Sequence, residues 1–216
     1  ILEVNGEEAL IGELQRLGPA ETLYSDSIGH TAITTRSGAR PQPEWEFDSD
    51  SARRALNAQF QTHDLQGFGC DGLDLAIGAA GCLLQYVKDT QRSNLPHIRS
   101  MSHESREASV ILDAATRRNL EIDINMAGGD SNTLYSVLDK GVTAMGSRLL
   151  RRWLHRPLTS ISTLEARQDA ITALCTNYHY ETVREVLKPI GDMERILTRV
   201  ALRSARPRDL TRLLSS

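Results

Sequence analysis

With 216 residues, 40% of them apolar and 25% charged, the chain is long enough for one or two domains with cores of their own, and it has the balance of a soluble globular protein. Aromatic residues make up 5%, so those cores are expected to be aliphatic; the longest apolar run, 73–87, is broken by Asp74 and Gln85 and falls short of a spanning helix, and no signal peptide is visible. Net charge is −3, and the three cysteines, Cys70, Cys82 and Cys175, form no C-x-x-C pair, which argues against a zinc site or a disulfide framework and fits a reducing cytoplasm.

In chain order, residues 1–4 read as the end of a strand, and the absence of an initiator methionine predicts a piece of a longer protein. A helix is predicted over Glu7–Leu17, with Ala9, Leu10, Leu14 and Leu17 on one face and Gly18-Pro19 as its stop. Short strands are predicted at 21–25 and 28–35, with another at 44–47. The run Asp48-Ser-Asp-Ser51 should cap a helix to about Phe60, 63–69 reads as loop, and 73–91 reads as a nearly all-apolar, buried helix. Residues 93–107 carry no period, hold Pro96 and are polar, so they read as a linker between an α/β unit (1–92) and an all-helical one (108–216).

After the linker the β signal shrinks to 110–112, which gives way to a polar helical turn. Helices are predicted at 133–139, 143–156, 163–175, 181–187 and 193–202, and from Pro207, which suits a first helical turn because its missing N–H is harmless there. Ser162-Thr-Leu-Glu165 has the spacing of a capping box. The helix over 143–156 is amphipathic: Met145, Leu149, Trp153 and Leu154 share one side with Leu150 nearby, Arg148, Arg151, Arg152, His155 and Arg156 take the other, and Pro157 ends it.

That basic side is a candidate DNA- or partner-facing stripe of Arg148, Arg151, Arg152 and Arg156. Arg148/Arg152 and Arg152/Arg156 are like-charge i,i+4 pairs, each unfavourable by about 0.2–0.5 kcal/mol in an isolated helix, so phosphate or carboxylates such as Glu165 or Asp169 should neutralise them. No aromatic residues interleave for base stacking, which favours a solvated or protein-facing stripe; Arg203, Arg206, Arg208 and Arg212 read the same way. Charge is also unevenly spread, with 7 basic against 14 acidic residues up to Leu95 and 18 against 14 from Pro96 onward, which supports two units of different character. Asp113, Arg117, Arg118 and Glu121 form a candidate coupling element, or else a plain i,i+4 ion-pair ladder.

Catalytic patterns are weak. Gly67-Phe-Gly-Cys-Asp-Gly72 matches G-x-G-x-x-G, but a helix and a polar loop precede it where a dinucleotide cradle needs a strand. Gly141-Val-Thr-Ala-Met-Gly146 has the glycine spacing of a phosphate loop, but Ser147 and Arg148 stand where Lys and Ser/Thr are needed, so it reads as a helix–helix connection with Gly141 as the stop. Asp64, Asp71 and Asp74 around one loop could be imagined as a Mg²⁺ cluster, but no matching acid lies on the strand signals. The six histidines are scattered. No catalytic, cofactor-binding or metal-ligating residue is therefore assigned.

A resemblance sharpens the reading. The runs Ala80-Gly-Cys-Leu-Leu-Gln-Tyr-Val-Lys-Asp-Thr-Gln-Arg92, Leu95-Pro-His-Ile-Arg99, Asp113-Ala-Ala-Thr-Arg-Arg-Asn-Leu-Glu121, Met145-Gly-Ser-Arg-Leu-Leu-Arg-Arg-Trp-Leu-His155 and Arg203-Ser-Ala-Arg-Pro-Arg-Asp-Leu210 keep order and spacing. Together they resemble the MutS family of DNA mismatch-recognition proteins, where the connector domain hands over to the helical lever, or core. The resemblance implies an α+β/α multi-domain arrangement: the later part of an RNase H-like α/β connector, then the first helices of an all-α lever. It also implies a role coupling mismatched-DNA binding to ATP hydrolysis, a docking surface for MutL on the connector, and a cytoplasmic location. In the family, ATP and Mg²⁺ are held by a separate P-loop domain through which the protein homodimerises, and a Phe-x-Glu element elsewhere reads the mismatch. Neither element is present here, so this stretch is expected to be no enzyme, to need no cofactor, to meet no membrane and to bind DNA weakly or not at all. The competing readings are a nucleotide- or metal-dependent nucleic-acid hydrolase and a bare duplex-binding module.

Overall fold

The computed structural model describes residues 1–70, 72–92, 94–105 and 108–216. It is mostly helical with one small sheet, and it divides into two compact units, Ile1–Ser105 and Arg106–Ser216.

In the first unit α1 (Glu7–Leu17) forms as predicted, with Glu7 and Glu8 in its first turn and Arg16 in its last, each favourable to the helix dipole. Gly18 ends it in the left-handed region, its N–H closing onto the Leu14 carbonyl. The strand predicted at 21–25 is β1 (Thr22–Ser25); it pairs in parallel with β2 (Ala39–Gln42), Thr22 opposite Ala39. Residues 28–35 are not a strand. Their β-branched composition misleads because the hydroxyls bond their own backbone: Thr34 Oγ1 accepts the Thr31 N–H and donates to the Thr31 carbonyl, both at 3.0 Å, which holds turns instead. The predicted strand at 44–47 is a 3-10 turn, with the Glu46 N–H on the Pro43 carbonyl.

Two helices carry the core of this unit, α2 (Ser49–Phe60) and α3 (Asp74–Gln91). Asp48 caps α2 as predicted; Ser51, through its hydroxyl and its N–H, holds the Asp48 carboxyl below the usual range. The two helices cross closely because α3 presents glycines. A Cβ at Gly81 would run into the Ala52 Cβ, and one at Gly78 into the Phe47 carbonyl oxygen. Around that crossing Ala52, Leu56, Ala76, Ile77, Cys82 and Leu84 are buried. Helix α3 is not buried all round as predicted: Leu75 is 81% exposed and Leu83 54%, so the glycine-bearing face alone packs. Its start lacks a local cap; Glu3 supplies one from the amino-terminal stretch by accepting the Ala76 N–H at 3.0 Å.

Most of the stretch read as a linker belongs to this first unit. Leu95 is fully buried, Gln59 Nε2 donates to the Leu95 and Ile98 carbonyls, the Ile1 ammonium donates to the Ser102 carbonyl at 2.6 Å, and the Glu104 N–H returns to the Ile1 carbonyl. Local polarity misled here, since the burial comes from partners distant in sequence. Ser93, Arg106 and Glu107 of the predicted linker lie outside the described residues.

The second unit is helical. Among the described residues, its β signal survives only as a bridge between Ser109 and Leu158, where the Val110 N–H meets the Pro157 carbonyl at 2.8 Å. The helices are α4 (Ala114–Asn119), α5 (Leu134–Leu138), α6 (Ala144–His155), α7 (Ile161–Cys175), α8 (His179–Leu187), α9 (Met193–Ala201) and α10 (Pro207–Leu214). Helix α7 begins before the predicted capping box: Ser160 is its N-cap and accepts from Thr163, so Ser162 lies inside the helix. Ile122 and Ile196 are buried, but on α7 Ile161 is 71% exposed and Ile171 60%.

The glycine crossing yields an expected outcome. Gly81→Ala should destabilise the protein by about 1–3 kcal/mol, because the added methyl has no room beside Ala52. Gly12→Ala, inside α1 with nothing within 4 Å of the new methyl, should instead stabilise it by about 0.5–1 kcal/mol. Urea unfolding of the two variants beside the parent checks both signs.

Candidate functional site

Helix α6 organises the second unit through its polar side. Thr143 caps its start by accepting the Gly146 N–H. One turn on, Arg148 donates to both carboxylate oxygens of Asp192, at 2.8 and 2.7 Å, and to Glu194 at 2.6 Å. Asp192 is the N-cap of α9, so a single guanidinium ties α6 to the start of another helix. Arg148 holds the Asp192 carboxyl down to about 2, against a usual 3.8. The neighbouring Arg151 donates twice to Asp123, through Nε at 2.9 Å and a terminal nitrogen at 2.5 Å. Arg156 reaches the Ser109 hydroxyl at 3.3 Å, and Arg152 is exposed. The stripe is therefore neutralised largely from within the chain, but by Asp123, Asp192 and Glu194 and not by Glu165 or Asp169. On the apolar side, Arg167 of α7 lies over the Trp153 ring, 3.7 Å from its centre.

At the end of α6, His155 Nε2 lies 2.9 Å from Asp123 Oδ2, and its Nδ1 lies 3.2 Å from an Arg117 guanidinium nitrogen. That nitrogen also donates to the His155 carbonyl at 3.0 Å, and Arg117 Nε donates to the Leu112 carbonyl at 3.1 Å. A guanidinium has no acceptor, so Nδ1 must receive the Arg117 bond and the imidazole proton sits on Nε2, facing the carboxylate. Burial pushes the Asp123 carboxyl up, but the hydrogen bonds from Arg151 and His155 outweigh it and hold Asp123 below its usual value.

The four residues predicted as a coupling element or an ion-pair ladder are not set out as a ladder. Helix α4 ends at Asn119, before an i,i+4 step from Arg117 to Glu121 can form. Asp113 is the N-cap and accepts from Thr116; Glu121, with φ 44°, accepts the Met126 N–H at 2.6 Å; Arg118 is exposed. Arg117 alone of the four reaches α6. Sequence reasoning placed His155 on the polar side of α6 but missed Asp123, whose surroundings, Glu-Ile-Asp-Ile-Asn, carry no helical period.

The second basic group differs: Arg203, Arg206, Arg208 and Arg212 are exposed, and it is Arg199 that binds both oxygens of Asp209, at 3.0 and 2.8 Å, joining α9 to α10.

The loop at 139–146 binds itself. Asp139 accepts the Gly141 N–H at 3.0 Å and the Ser147 hydroxyl at 2.9 Å, so donors that a phosphate would need are already turned to a carboxylate. Helix α5 stops at Asp139, in an extended conformation, so Gly141 is not its stop. In the other glycine loop a short 3-10 turn and Gly69, with φ 68°, precede α3. Asp64 accepts the Gln66 N–H, Asp74 pairs with Arg53 at 2.5 Å, and Asp71 lies outside the described residues. Among the described residues no group of three or more His, Cys, Asp or Glu side chains is placed to hold a metal ion, and no helix is long and apolar enough to cross a membrane.

Two family models match the chain, each within one compact unit. MutS domain II covers residues 1–99, and MutS domain III covers residues 115–216.

The Arg148–Asp192 pair predicts a pH signature. Because the folded carboxyl sits near 2 and the ordinary value is 3.8, the pair contributes fully above that ordinary value and is lost as pH falls through about 2. Asp192→Asn keeps a capping side chain but removes the charge, and should cost about 1 kcal/mol at neutral pH. That difference from the parent should vanish toward pH 2 in urea unfolding curves.

Proposed function

The chain belongs to the MutS family of DNA mismatch-repair proteins, and from that premise we propose that its two units are a connector and the beginning of a lever that carries conformational change between parts that do chemistry elsewhere. The observation that carries this is the succession of the two matches: domain II falls within the first unit and domain III within the second, in the family's own order. In this reading the first unit is RNase H-like and offers the surface for MutL. Mismatched duplex DNA is read, and ATP with Mg²⁺ is hydrolysed, by other parts of the protein, and homodimerisation runs through the ATP-hydrolysing part.

The geometry of the second unit supports the lever role. A lever must hold one shape and then change to another, which favours discrete contacts over a soft apolar face. Bidentate pairs are of that kind: Arg148 on Asp192 and Arg199 on Asp209 are either made or broken, and each joins two different helices. Arg148 and Arg151 are turned to carboxylates of their own unit, which favours an internal brace over a duplex-binding stripe.

Transplanting residues 1–216 in place of the matching domains of an active MutS protein tests the reading. The chimera should keep ATP hydrolysis that responds to mismatched duplex. Breaking the brace with Arg148→Ala should cut that response by about tenfold while leaving duplex affinity nearly unchanged. A response lost in the unmutated chimera despite normal binding to mismatched DNA would sink the proposal. So would ATP turnover or nuclease activity by the 216-residue chain alone, which should also bind DNA only weakly and without preference for a mismatch.

A further inference from the structure

Arg148 and Arg151 of α6 find carboxylates inside their unit, but the arginines around α10 do not. Between Leu202 and Ser216 the chain has four arginines and a single acid, Asp209. The acids of α9 and α10 are already taken: Asp192 and Glu194 by Arg148, and both oxygens of Asp209 by Arg199. Among the described residues the guanidinium groups of Arg203, Arg206, Arg208 and Arg212 have no hydrogen bond and no ion pair, and Arg208 acts on Asp209 only at longer range.

Two of the four share a face. Arg208 and Arg212 stand one turn apart on α10, with about 5–6 Å between Cβ atoms at that spacing. Thr211 and Ser215 complete the face, and all four residues are exposed. Asp209 and the half-buried Leu213 lie on a second side, and the exposed Leu210 and Leu214 on a third. Arg212 is laid along the backbone: a Cβ at Gly191 would meet its Cγ at 2.9 Å and its Nε at 3.0 Å. The Gly191 N–H donates to the Ser216 hydroxyl, so the end of α10 is fixed to the same glycine. Arg203 and Arg206 stand on the turn that leads into α10.

The make-up of this face selects its partner. A protein surface would ask for an apolar centre inside a polar rim, and no apolar side chain lies between Arg208 and Arg212 on this face. A single strand would ask for aromatic rings to stack its bases, and no Phe, Trp or Tyr follows Tyr180. The backbone of a duplex asks for cations at its phosphates, and guanidinium groups meet phosphate oxygens in pairs.

We propose that Arg208 and Arg212, extended by Arg203 and Arg206, form a contact for the phosphate backbone of duplex DNA, and that the weak duplex affinity of the chain runs through this face and not through α6. Such a contact reads neither base nor mismatch. It goes beyond the lever reading and does not rest on it.

The test measures binding of the 216-residue chain to a fluorescent DNA duplex as a function of salt. With two to four arginines engaged, log K should fall with log salt at a slope between about −1.8 and −3.6. Arg208→Ala/Arg212→Ala should reduce that slope by about 2 and weaken binding by about tenfold at about 50 mM salt. Arg208→Lys/Arg212→Lys keeps both charges and should keep most of the slope. Arg118→Ala/Arg152→Ala removes equal charge from exposed arginines elsewhere in the unit and should leave the slope unchanged. Should urea unfolding show the double alanine variant to be destabilised, Arg208→Ala alone should still lower the slope by about 1. Matched and mismatched duplexes should bind alike. Unmeasurable duplex binding at about 50 mM salt overturns the proposal, as does a slope that falls equally in Arg118→Ala/Arg152→Ala. Tighter binding to a single strand also overturns it, and so does displacement of the duplex by polyglutamate at equal charge, which would make the face a dock for an acidic protein. None of these outcomes touches the lever reading, which is decided by the ATP response of the chimera.

Discussion

The second unit depends on salt bridges that a single helix gathers from distant parts of the chain. Arg148 takes Asp192 and Glu194, Arg151 takes Asp123, and His155 links Asp123 to Arg117. Each such contact is worth about 1 kcal/mol or less where solvent reaches it, well below the roughly 1.5–3 kcal/mol from burying one leucine. Their effect is therefore on register more than on stability. They fix which turn of α6 meets α9, the loop after α4, and α4 itself, because a bidentate guanidinium fits a carboxylate in few ways.

The first unit is built on the opposite plan. Its helices touch through apolar side chains, and two glycines on α3 let α2 and the Phe47 backbone come closer than any other residue would allow. Burial is effective enough there to push the Cys82 thiol up to about 11, which makes it a packing residue and not a nucleophile. Polar groups serve at the margins, where Glu21 gathers the Tyr86 hydroxyl and Arg40 and so joins the sheet to α3. A unit packed in this way resists deformation, whereas one braced by salt bridges can exchange one set of contacts for another. That difference in construction is what the proposed connector and lever roles would call for.

The arginines of α6 also show how a basic run can mislead. In an isolated helix they repel one another and invite a polyanion. In the folded unit the carboxylates that answer them come from the loop after α4 and from the start of α9. The glycine loop at 139–146 follows the same logic, with its donors already spent on Asp139.

What the sequence determined alone was whatever is set within one or two helical turns. The limits of α1, the Asp48 cap, the Thr143 start of α6 and Pro207 at the head of α10 follow from side chains that act on their own backbone. The family was legible too, from short runs in a fixed order. The tertiary structure alone decided that 94–105 packs into the first unit, that Ala39–Gln42 pairs as a strand despite its arginine and proline, and that 28–35 turns back on its own hydroxyls. It also decided which carboxylate meets which arginine and that Asp123 stands beside His155. Periodicity reports which face of an element is apolar, but a charge pair spanning 28 to 46 positions leaves no period. Its partners are chosen by where the packed helices happen to bring them.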